Sequence, residues 1–561
     1  MKLTGAELVT KLLERQGIRT IAGVPGGATL PLYDALSKSG CLRHVLARHE
    51  QGAGFIAQGM ARVSGQPSVF LATSGPGATN TLTALADAKL DSIPVICITG
   101  QVPNAVLGTD AFQEVDTYGL SLPITKHNYL VRNARELLTV IPQAFRIAVS
   151  GRPGPVLIDI PRDVQTEVVE FDEWPEPGGP DPTPEFSEAS VKRAAELINK
   201  AKRPILYIGG GVISAGANGL VTRLAEAATL PVTMTLMGLG AVPTDNKLSL
   251  GMLGMHAAKY TNMALEECDL LIAAGVRFDD RATGLAKLFC PSADIIHIDI
   301  DPCEHDKIKS SCLAINGDVR EVFEALLPMV SQKPKKTWLS RIEELRNMYP
   351  STLPGQDDPH TPYGLIKLAA RHLNDDAIIT TDVGQHQMRT AQAYPFRRAR
   401  QWLTSGGLGT MGFGLPAAIG AALASPGRNV VAFSGDGSFL MNIQELATAV
   451  EENANVKVIL MNNFGLGLVH QQQELFFDKN YFASEYRHHV DFVTIARGFG
   501  MKAFDLADSD PEAVLKEAFS TPGPCLIHAP IWEMSKTNVF PMVPPGAGNS
   551  IMIEEGDDDA S

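Results

Sequence analysis

Two polar segments in the last third of the chain follow predicted strands and carry the ligands that a divalent cation requires. Gly-Asp-Gly-Ser at 435–438 ends one strand, and Asn462-Asn463 ends the next strand, 27 residues later. Mg²⁺ prefers hard oxygen ligands and keeps some coordination positions for phosphate. Asp436 can supply a carboxylate, Asn463 an amide carbonyl and Gly465 a backbone carbonyl. The pattern therefore predicts a magnesium site that also holds a phosphate group.

The glycines of the 435–438 segment strengthen this prediction. Glycine lets backbone amides approach a ligand closely, and the N-terminus of a helix predicted over 439–451 would favour a diphosphate. A tight Gly-Asp-Gly turn beside an unrelated asparagine pair is the alternative interpretation. The spacing, and the position of both segments at strand ends, favour the cation site.

The elements that would position these residues fall into three blocks. Proline-rich stretches at 171–187 and 348–362 have little periodicity and predict linkers. The C-terminal tail, which ends in Glu-Glu-Gly-Asp-Asp-Asp, is expected to be disordered. We therefore assign the regions 1–170, 188–345, 360–535 and a C-terminal tail, 536–561.

Each block alternates short apolar runs with helical patterns. Near-continuous apolar strands separated by helices predict an α/β fold with three doubly wound parallel sheets. The strand candidates are 68–73, 94–99, 156–160, 204–208, 270–274, 295–300, 377–381, 430–434 and 457–462. The outer blocks also resemble each other, because a strand in each is followed by Ser-Gly-Pro-Gly (74–77) or Ser-Gly-Asp-Gly (434–437). This similarity hints at duplicated domains.

Composition excludes some classes of function and indicates a compartment. The 561 residues include 48 basic and 62 acidic side chains, a net charge of −14, which argues against binding nucleic acid or an anionic membrane. No apolar run approaches the roughly 18 residues of a membrane span. Seven cysteines without a CxxC pair predict reduced thiols. A helix that starts at a Thr4–Glu7 capping box and ends at Gly17 leaves no room for a leader, so we expect a cytoplasmic protein.

The metal-diphosphate spacing resembles that of the thiamine-diphosphate enzymes. Other segments, along nearly the whole chain, are similar to the catalytic subunits of the biosynthetic acetolactate (acetohydroxyacid) synthases, and most similar to the enteric isozyme I type. These segments are 48–54, 74–80, 277–281 and 541–546. The resemblance implies an N-terminal domain that binds the pyrimidine ring, a central FAD-binding domain and a C-terminal domain that binds diphosphate and Mg²⁺.

The resemblance also implies catalytic residues. Glu50 would hydrogen-bond the aminopyrimidine ring of the cofactor, although beside Arg48 and His49 it is by itself typical of a solvated charge cluster. Met411 would lie beneath the cofactor, a role compatible with that of an ordinary core methionine. Arg281 would bind the carboxylate of the second 2-keto acid; taken alone, it indicates a surface ion pair with a neighbouring aspartate. Phe112 and Gln113 would line the substrate channel.

Two sets of cofactor-binding residues follow from the same resemblance. The thiamine-diphosphate set is Glu50, Gln385, His386, Met411, Gly435, Asp436, Gly437, Ser438, Asn463 and Leu466, with Asp436, Asn463 and Gly465 on the metal. The FAD set is Arg152, Gly209, Gly210, Met255, His256, Gly275, Arg277, Asp299 and Asp318. From the residues alone, Gly209-Gly210-Gly211 lacks a complete GxGxxG and fits a plain tight turn equally well.

Glu50 and Asp436 lie in different blocks, so the cofactor is expected to span two domains. The resemblance implies that these domains come from two subunits, hence a homodimer or homotetramer, and that a small regulatory subunit binds. It implies pyruvate and 2-ketobutyrate as substrates, with little preference for 2-ketobutyrate because Leu468 and Gln472 stand where relatives that prefer it carry Met and Trp. A pyruvate oxidase or decarboxylase of the same fold and a noncatalytic assembly subunit remain the alternatives.

Overall fold

The computed structural model describes residues 1–554 and contains three parallel six-stranded sheets. Within these residues no helix is both long and apolar enough to cross a bilayer. The capping box predicted at the start of the chain is present: Thr4 and Glu7 bond each other's backbone amides, and the helix ends at Arg15, two residues before Gly17 with φ +82°. All nine predicted strands are present within two residues of their predicted bounds.

The N-terminal domain is built on a sheet of order β3-β2-β4-β5-β7-β6. Its strands are β1 Lys2–Thr4, β2 Thr20–Gly23, β3 Arg43–Leu46, β4 Ser68–Ala72, β5 Val95–Gln101, β6 His127–Leu130, β7 Val156–Pro161 and β8 Val168–Glu170. Its helices are α1 Gly5–Arg15, α2 Leu30–Ser37, α3 Glu50–Ser64, α4 Pro76–Asn80, α5 Leu82–Leu90, α6 Thr117–Ser121, α7 Leu137–Val149 and α8 Arg162–Thr166. An antiparallel pair, β1 with β8, joins the two ends of the domain.

The middle domain has the sheet order β11-β10-β9-β12-β13-β14. Its strands are β9 Pro204–Ile208, β10 Val232–Met234, β11 Ser249–Met252, β12 Leu270–Ala274, β13 Asp294–Asp299 and β14 Leu313–Asn316. Its helices are α9 Glu188–Lys200, α10 Gly210–Ser214, α11 Asn218–Ala228, α12 Lys259–Glu267, α13 Asp280–Thr283, α14 Val319–Leu326 and α15 Lys336–Met348. Strands β9 and β12 are fully buried, as expected of a sheet covered on both faces.

The C-terminal domain has the sheet order β16-β15-β17-β18-β20-β19. Its strands are β15 Ile378–Thr381, β16 Trp402–Leu403, β17 Val430–Gly435, β18 Val456–Asn462, β19 Lys502–Asp505 and β20 Cys525–Pro530. Its helices are α16 Pro362–His372, α17 Gln385–Ala393, α18 Gly414–Ala424, α19 Asp436–Leu440, α20 Glu445–Glu451, α21 Gly467–Phe476, α22 Phe492–Gly498 and α23 Pro511–Ser520.

Strand order relates the two outer domains. If the strands of the six-stranded sheet are numbered within each domain, both outer sheets have the order 2-1-3-4-6-5, whereas the middle sheet has 3-2-1-4-5-6. The shared order supports the predicted duplication. The middle order is that of sheets that bind dinucleotides where the strand order reverses.

Helices α3 and α18 join the two outer domains, and their backbones are in direct contact. A Cβ atom on Gly59 would lie 2.1 Å from the carbonyl oxygen of Ala417, and one on Gly420 would lie 1.9 Å from that of Ile56. No other residue fits at these two positions, because any side chain would collide with backbone. The glycines therefore fix how the first and third domains meet within one chain.

Two expectations need correction. The helix predicted over 439–451 is two helices, α19 and α20, because the Asn442 side chain between them donates to the carbonyl oxygen of Gly412 over 2.7 Å. The tail is structured over 537–554: Val543 donates its backbone amide to Met255, and the Met542 and Ile553 backbones bond each other. The acidic end beyond residue 554 lies outside the described residues.

Candidate functional site

The predicted cation site lies where the strand order of the C-terminal sheet reverses. Strands β15 and β17 are neighbours, and their carboxyl ends lead into α17 and α19. Ligands of open α/β sheets bind in the crevice at such a point. A cavity of about 160 Å³ opens there. Its lining includes every residue predicted for the diphosphate and metal apart from Glu50, namely Gln385, His386, Met411, Gly435, Asp436, Gly437, Ser438, Asn463, Gly465 and Leu466.

Asp436 is a buried carboxylate with unusual proton affinity. Burial raises its pKa to about 7, although the backbone amides of Gly437, Gly465 and Phe464 act in the opposite direction. A carboxylate taken out of water is costly unless a positive charge or hydrogen bonds compensate it. Its position is therefore suited to a cation ligand.

The side-chain amide of Asn463 lies between Asp436 and the carbonyl oxygen of Gly465. Its Nδ2 atom donates to Gln385 Oε1 over 3.2 Å and to Thr537 Oγ1 over 3.1 Å. In that orientation its amide oxygen faces Asp436 Oδ1 at 3.2 Å and the Gly465 carbonyl oxygen at 3.1 Å. Three oxygens that converge without a hydrogen between them repel one another unless a cation lies among them. This donor set, a carboxylate, an amide oxygen and a backbone carbonyl, fits Mg²⁺.

The wall beside this donor set is both crowded and polar. A Cβ atom on Gly435 would lie 2.8 Å from His386 Nδ1, and one on Gly437 would lie 3.6 Å from the methyl carbon of Met411. Burial lowers the pKa of His386 to about 3, so its ring is neutral, and its Nε2 atom is buried without a hydrogen-bond partner. An unpartnered buried polar atom in the cavity wall suits a polar ligand such as a diphosphate.

The middle domain has its own crevice at the reversal point between β9 and β12. The glycines that follow these strands touch: a Cβ atom on Gly211 would lie 2.6 Å from the Cα atom of Gly275, and one on Gly209 would lie 2.3 Å from the Gly275 carbonyl oxygen. Gly275 also has φ +60°. The triple glycine is therefore more than a tight turn, because it packs two loops backbone to backbone at the mouth of a dinucleotide-type crevice.

A cavity of about 840 Å³ lies at this crevice and is large enough for a dinucleotide. It is lined by all the residues predicted to bind FAD: Arg152, Gly209, Gly210, Met255, His256, Gly275, Arg277, Asp299 and Asp318. Burial raises the pKa of Asp299 to about 6 and lowers that of His256 to about 4.

Arg152 donates to Ser92 Oγ over 2.8 Å and to Glu304 Oε1 over 2.7 Å, and so joins the first domain to the middle one.

The two cavities are adjacent. Val383, Leu468 and Gln472 line both of them. Arg281 lines the larger cavity, its side chain is 65% exposed, and its nearest carboxylate, Asp280, lies 3.9 Å away. The surface ion pair that the neighbouring aspartate suggested is therefore loose. The guanidinium also donates to Met255 Sδ over 3.7 Å, a weak bond that a carboxylate could replace.

Three predicted residues lie apart from both cavities in this chain. Glu50 begins α3 and accepts a hydrogen bond from Asn80 Nδ2 over 2.9 Å. Phe112 is 89% exposed, and Gln113 packs against Gly75. None of the three lines either cavity. The structure therefore gathers Glu50 and Gln113 around the 74–80 segment, but not around Asp436.

Sequence reasoning missed several residues of the site. Thr537, in the region assigned to a tail, lines the smaller cavity, and the loop 405–409 lines the larger one. Gln471 is fully buried and bonds Gln385. No motif marks these residues, since each depends on a contact between segments that are distant along the chain.

Comparison with known proteins agrees with this architecture. Family models match in the order N-terminal thiamine pyrophosphate (TPP) binding domain of TPP enzymes at 3–120, central domain at 191–326 and C-terminal TPP binding domain at 382–529. The chain is 59% identical to the acetolactate synthase isozyme 1 large subunit of Escherichia coli (strain K12), over 99% of this chain and 98% of that one. It is 46% identical to the isozyme 2 large subunit of the same organism, over 99% and 100%. Acetolactate synthase 1, chloroplastic, of Zea mays is 43% identical over 99% and 89%.

Proposed function

The chain belongs to the acetolactate synthase large subunits, a family of thiamine pyrophosphate enzymes, and from that premise we propose which of its residues carry out the reaction. It is a catalytic subunit that decarboxylates pyruvate on thiamine diphosphate and transfers the hydroxyethyl group to a second 2-keto acid. Pyruvate as acceptor gives 2-acetolactate, and 2-ketobutyrate gives 2-aceto-2-hydroxybutyrate. This is the first common step of branched-chain amino acid biosynthesis.

The convergence of three oxygens at 3.1–3.2 Å around Asn463 carries the proposal. Asp436, Asn463 and the Gly465 carbonyl would hold Mg²⁺, and His386 and the 435–438 segment would hold the diphosphate. The glycine-lined cavity of the middle domain would hold FAD, which the overall reaction does not oxidise or reduce. Thiamine diphosphate, when bound, would supply a ring carbon that is nucleophilic once deprotonated and a positively charged ring that can take up the electron pair left by CO₂.

The protein contributes proton transfer, orientation and recognition. Glu50 would exchange a proton with the aminopyrimidine ring and so hold it in the form that can act as a base. Met411, beside Gly437, would support the cofactor from below in a bent shape. Arg281 would bind the carboxylate of the acceptor through its forked guanidinium, with Phe112 and Gln113 along the approach.

We propose that a complete site needs two copies of the chain. Glu50, Phe112 and Gln113 line neither cavity of their own chain, and Phe112 is a large apolar side chain that is 89% exposed. A second copy that brings its Glu50 face to the Asp436 cavity would cover this surface. The assembly would be a homodimer or a homotetramer built from such dimers.

Mixing two inactive variants tests this arrangement. Glu50→Gln and Asp436→Asn should each abolish acetolactate formation from pyruvate. When the two are unfolded and refolded together in equal amounts, mixed dimers contain one intact site, so about a quarter of the wild-type activity should return. If both residues serve the site of their own chain, the mixture stays inactive. Refolded wild-type protein sets the reference, and the double variant refolded alone sets the background.

The products decide between this function and the alternatives. A pyruvate oxidase or decarboxylase of this fold would give acetate or acetaldehyde, so acetolactate should dominate in an assay with thiamine diphosphate, Mg²⁺ and FAD. If Glu50→Gln left turnover unchanged, the chain would be the noncatalytic assembly subunit instead. Withholding each cofactor in turn shows which of them the reaction requires.

Two further assignments follow from the family and the cysteines. The large-subunit relatives support binding of a small regulatory subunit. All seven cysteines are free thiols, three of them exposed, which favours the reducing cytoplasm. We propose both, and co-purification of a tagged chain with a smaller partner tests the first.

A further inference from the structure

Gln471 is a buried side chain whose orientation is fixed by backbone. Its Nε2 atom donates to the carbonyl oxygen of Val539 over 3.0 Å, and the backbone amide of Val539 donates to Gln471 Oε1 over 3.0 Å. A backbone N–H can only donate and a carbonyl oxygen can only accept. The two ends of this amide therefore cannot exchange places without losing both bonds.

The orientation of Gln471 determines that of Gln385. Gln385 Nε2 donates to Gln471 Oε1 over 3.1 Å and also to Asn538 Oδ1 over 3.3 Å. Gln385 Oε1 must then point the other way, toward Asn463, and it accepts from Asn463 Nδ2 over 3.2 Å. Each amide thus sets the direction of the next one.

Asn463 has two orientations that differ in what they offer Asp436. In the first, its oxygen faces Asp436 and Gly465 and completes the three-oxygen donor set. In the second, its nitrogen donates to Asp436 Oδ1 over 3.2 Å and to Gly465 O over 3.1 Å, while its oxygen faces Gln385 Oε1 at 3.2 Å. The second orientation occupies the carboxylate with an N–H group and removes an oxygen ligand. In this orientation the oxygen would also accept from Thr537 Oγ1 over 3.1 Å, so the repulsion from Gln385 Oε1 is what disfavours it.

We propose that Gln471 is a positioning residue for the divalent cation: with Gln385 it forms an amide relay, anchored on the Val539 backbone, that turns the Asn463 oxygen toward the metal. The relay links cation affinity to the docking of the 537–539 segment. This inference rests on the proposed function, because it takes Asp436 and Asn463 as metal ligands.

Substitutions at Gln471 separate the relay from simple packing. Gln471→Met keeps the size of the side chain but removes the oxygen that accepts from Gln385, and cation affinity should fall about tenfold, as for other groups behind a metal ligand. Gln471→Asn, which withdraws the amide by one methylene, should also weaken binding and serves if the first variant does not fold. Gln471→Glu retains the accepting oxygen and should keep near-wild-type affinity, although its second oxygen faces the Val539 carbonyl and lowers thermal stability.

The experiment is a titration of the full-length protein with Mn²⁺ at saturating thiamine diphosphate, with free Mn²⁺ measured by electron paramagnetic resonance. Gln392→Met is the matched control, because Gln392 Nε2 also donates to the tail, at Phe540 O over 3.3 Å, but lies outside the relay. Its Mn²⁺ affinity should stay within about twofold of wild type, well short of the tenfold effect at Gln471.

The outcomes distinguish the two proposals. If Asp436→Asn binds Mn²⁺ as wild type does, the proposed metal site is wrong. If Asp436→Asn loses Mn²⁺ but Gln471→Met does not, the site stands and the relay is overturned. Equal losses in Gln471→Met, Gln471→Glu and Gln392→Met would assign the effect to anchoring of the tail and would also overturn the relay.

Discussion

The Asp91 carboxylate holds the backbone of Gly407 against the N-terminal domain. The Gly407 amide donates to Asp91 Oδ1 over 2.7 Å, and the Gly406 amide donates to Asp91 Oδ2 over 3.1 Å. Arg62 pairs with the same carboxylate over 2.8 Å, and both side chains are buried. The loop 405–409 lines the larger cavity and leads to Met411. One acidic side chain of the first domain therefore shapes the wall between the proposed flavin and thiamine sites.

Asp91→Asn should weaken flavin binding about tenfold. An amide has one accepting oxygen, so one of the two glycine N–H groups would be left buried and unpaired, at a cost of about 1–3 kcal/mol. Flavin fluorescence during titration of the apoprotein measures the change. Asp34→Asn, at an exposed position, is the control. Unchanged flavin affinity in Asp91→Asn would show that the loop holds its shape without this carboxylate.

Gly211→Ala should remove flavin binding and leave cation binding in place. The new Cβ atom would lie 2.6 Å from the Cα atom of Gly275, so the two loops at the middle crevice must separate. Gly219→Ala, in α11 of the same domain, meets nothing within 4 Å and should bind flavin normally. The flavin absorbance of the purified variants, together with Mn²⁺ titration, tests both parts. A Gly211→Ala protein that still binds flavin would contradict the proposal that the 209–211 glycines form part of the flavin site.

Asp159 should make stability depend on pH. It is buried, accepts from Thr99 Oγ1 over 2.7 Å and from Gln101 Nε2 over 2.9 Å, and burial raises its pKa from 3.8 to about 7. Because the folded state binds this proton more tightly than the unfolded state, the contribution of Asp159 is most favourable below pH 4. It is lost as the pH rises to about 7.

Asp159→Asn does not titrate, so its thermal midpoint relative to wild type should rise between pH 5 and pH 8. Differential scanning calorimetry at both pH values measures the difference, which corresponds to about 3 kcal/mol, because about two units of the pKa shift lie between pH 5 and pH 7 at roughly 1.4 kcal/mol each. A constant difference at the two pH values would mean that Asp159 is ionised throughout.

Gln472→Trp should raise the preference for 2-ketobutyrate over pyruvate as acceptor. Gln472 and Leu468 line both cavities, where an apolar surface would bury the additional methyl group of 2-ketobutyrate. One methylene contributes about 1–3 kcal/mol, so the product ratio should change by about tenfold or more. Competition between the two acids, with both products quantified, measures the ratio. A wild-type enzyme that already forms mostly 2-aceto-2-hydroxybutyrate would contradict the weak preference predicted from these two residues.

Local sequence patterns were sufficient to predict many of the strands and part of the candidate site. The apolar runs predicted nine strands to within two residues. The spacing of Asp436 and Asn463 predicted that they lie together, and they line one cavity because neighbouring parallel strands bring their carboxyl ends to one edge of a sheet. The triple glycine at 209–211 was ambiguous by sequence, since a glycine run fits a turn as well as a cofactor loop. Its close packing against Gly275 supports the cofactor loop that we propose.

Only the tertiary structure decided the contacts between distant segments. The break between α19 and α20 depends on the bond from Asn442 to Gly412. The orientation of Asn463 depends on Gln385 and Gln471. The tail returns to the middle domain through the backbone bond between Val543 and Met255. The separation of Glu50 from the Asp436 cavity is likewise a property of how the domains meet at α3 and α18. Hydrogen bonds of this kind join residues dozens to hundreds of positions apart, and no periodicity or spacing along the chain records which of them will become neighbours.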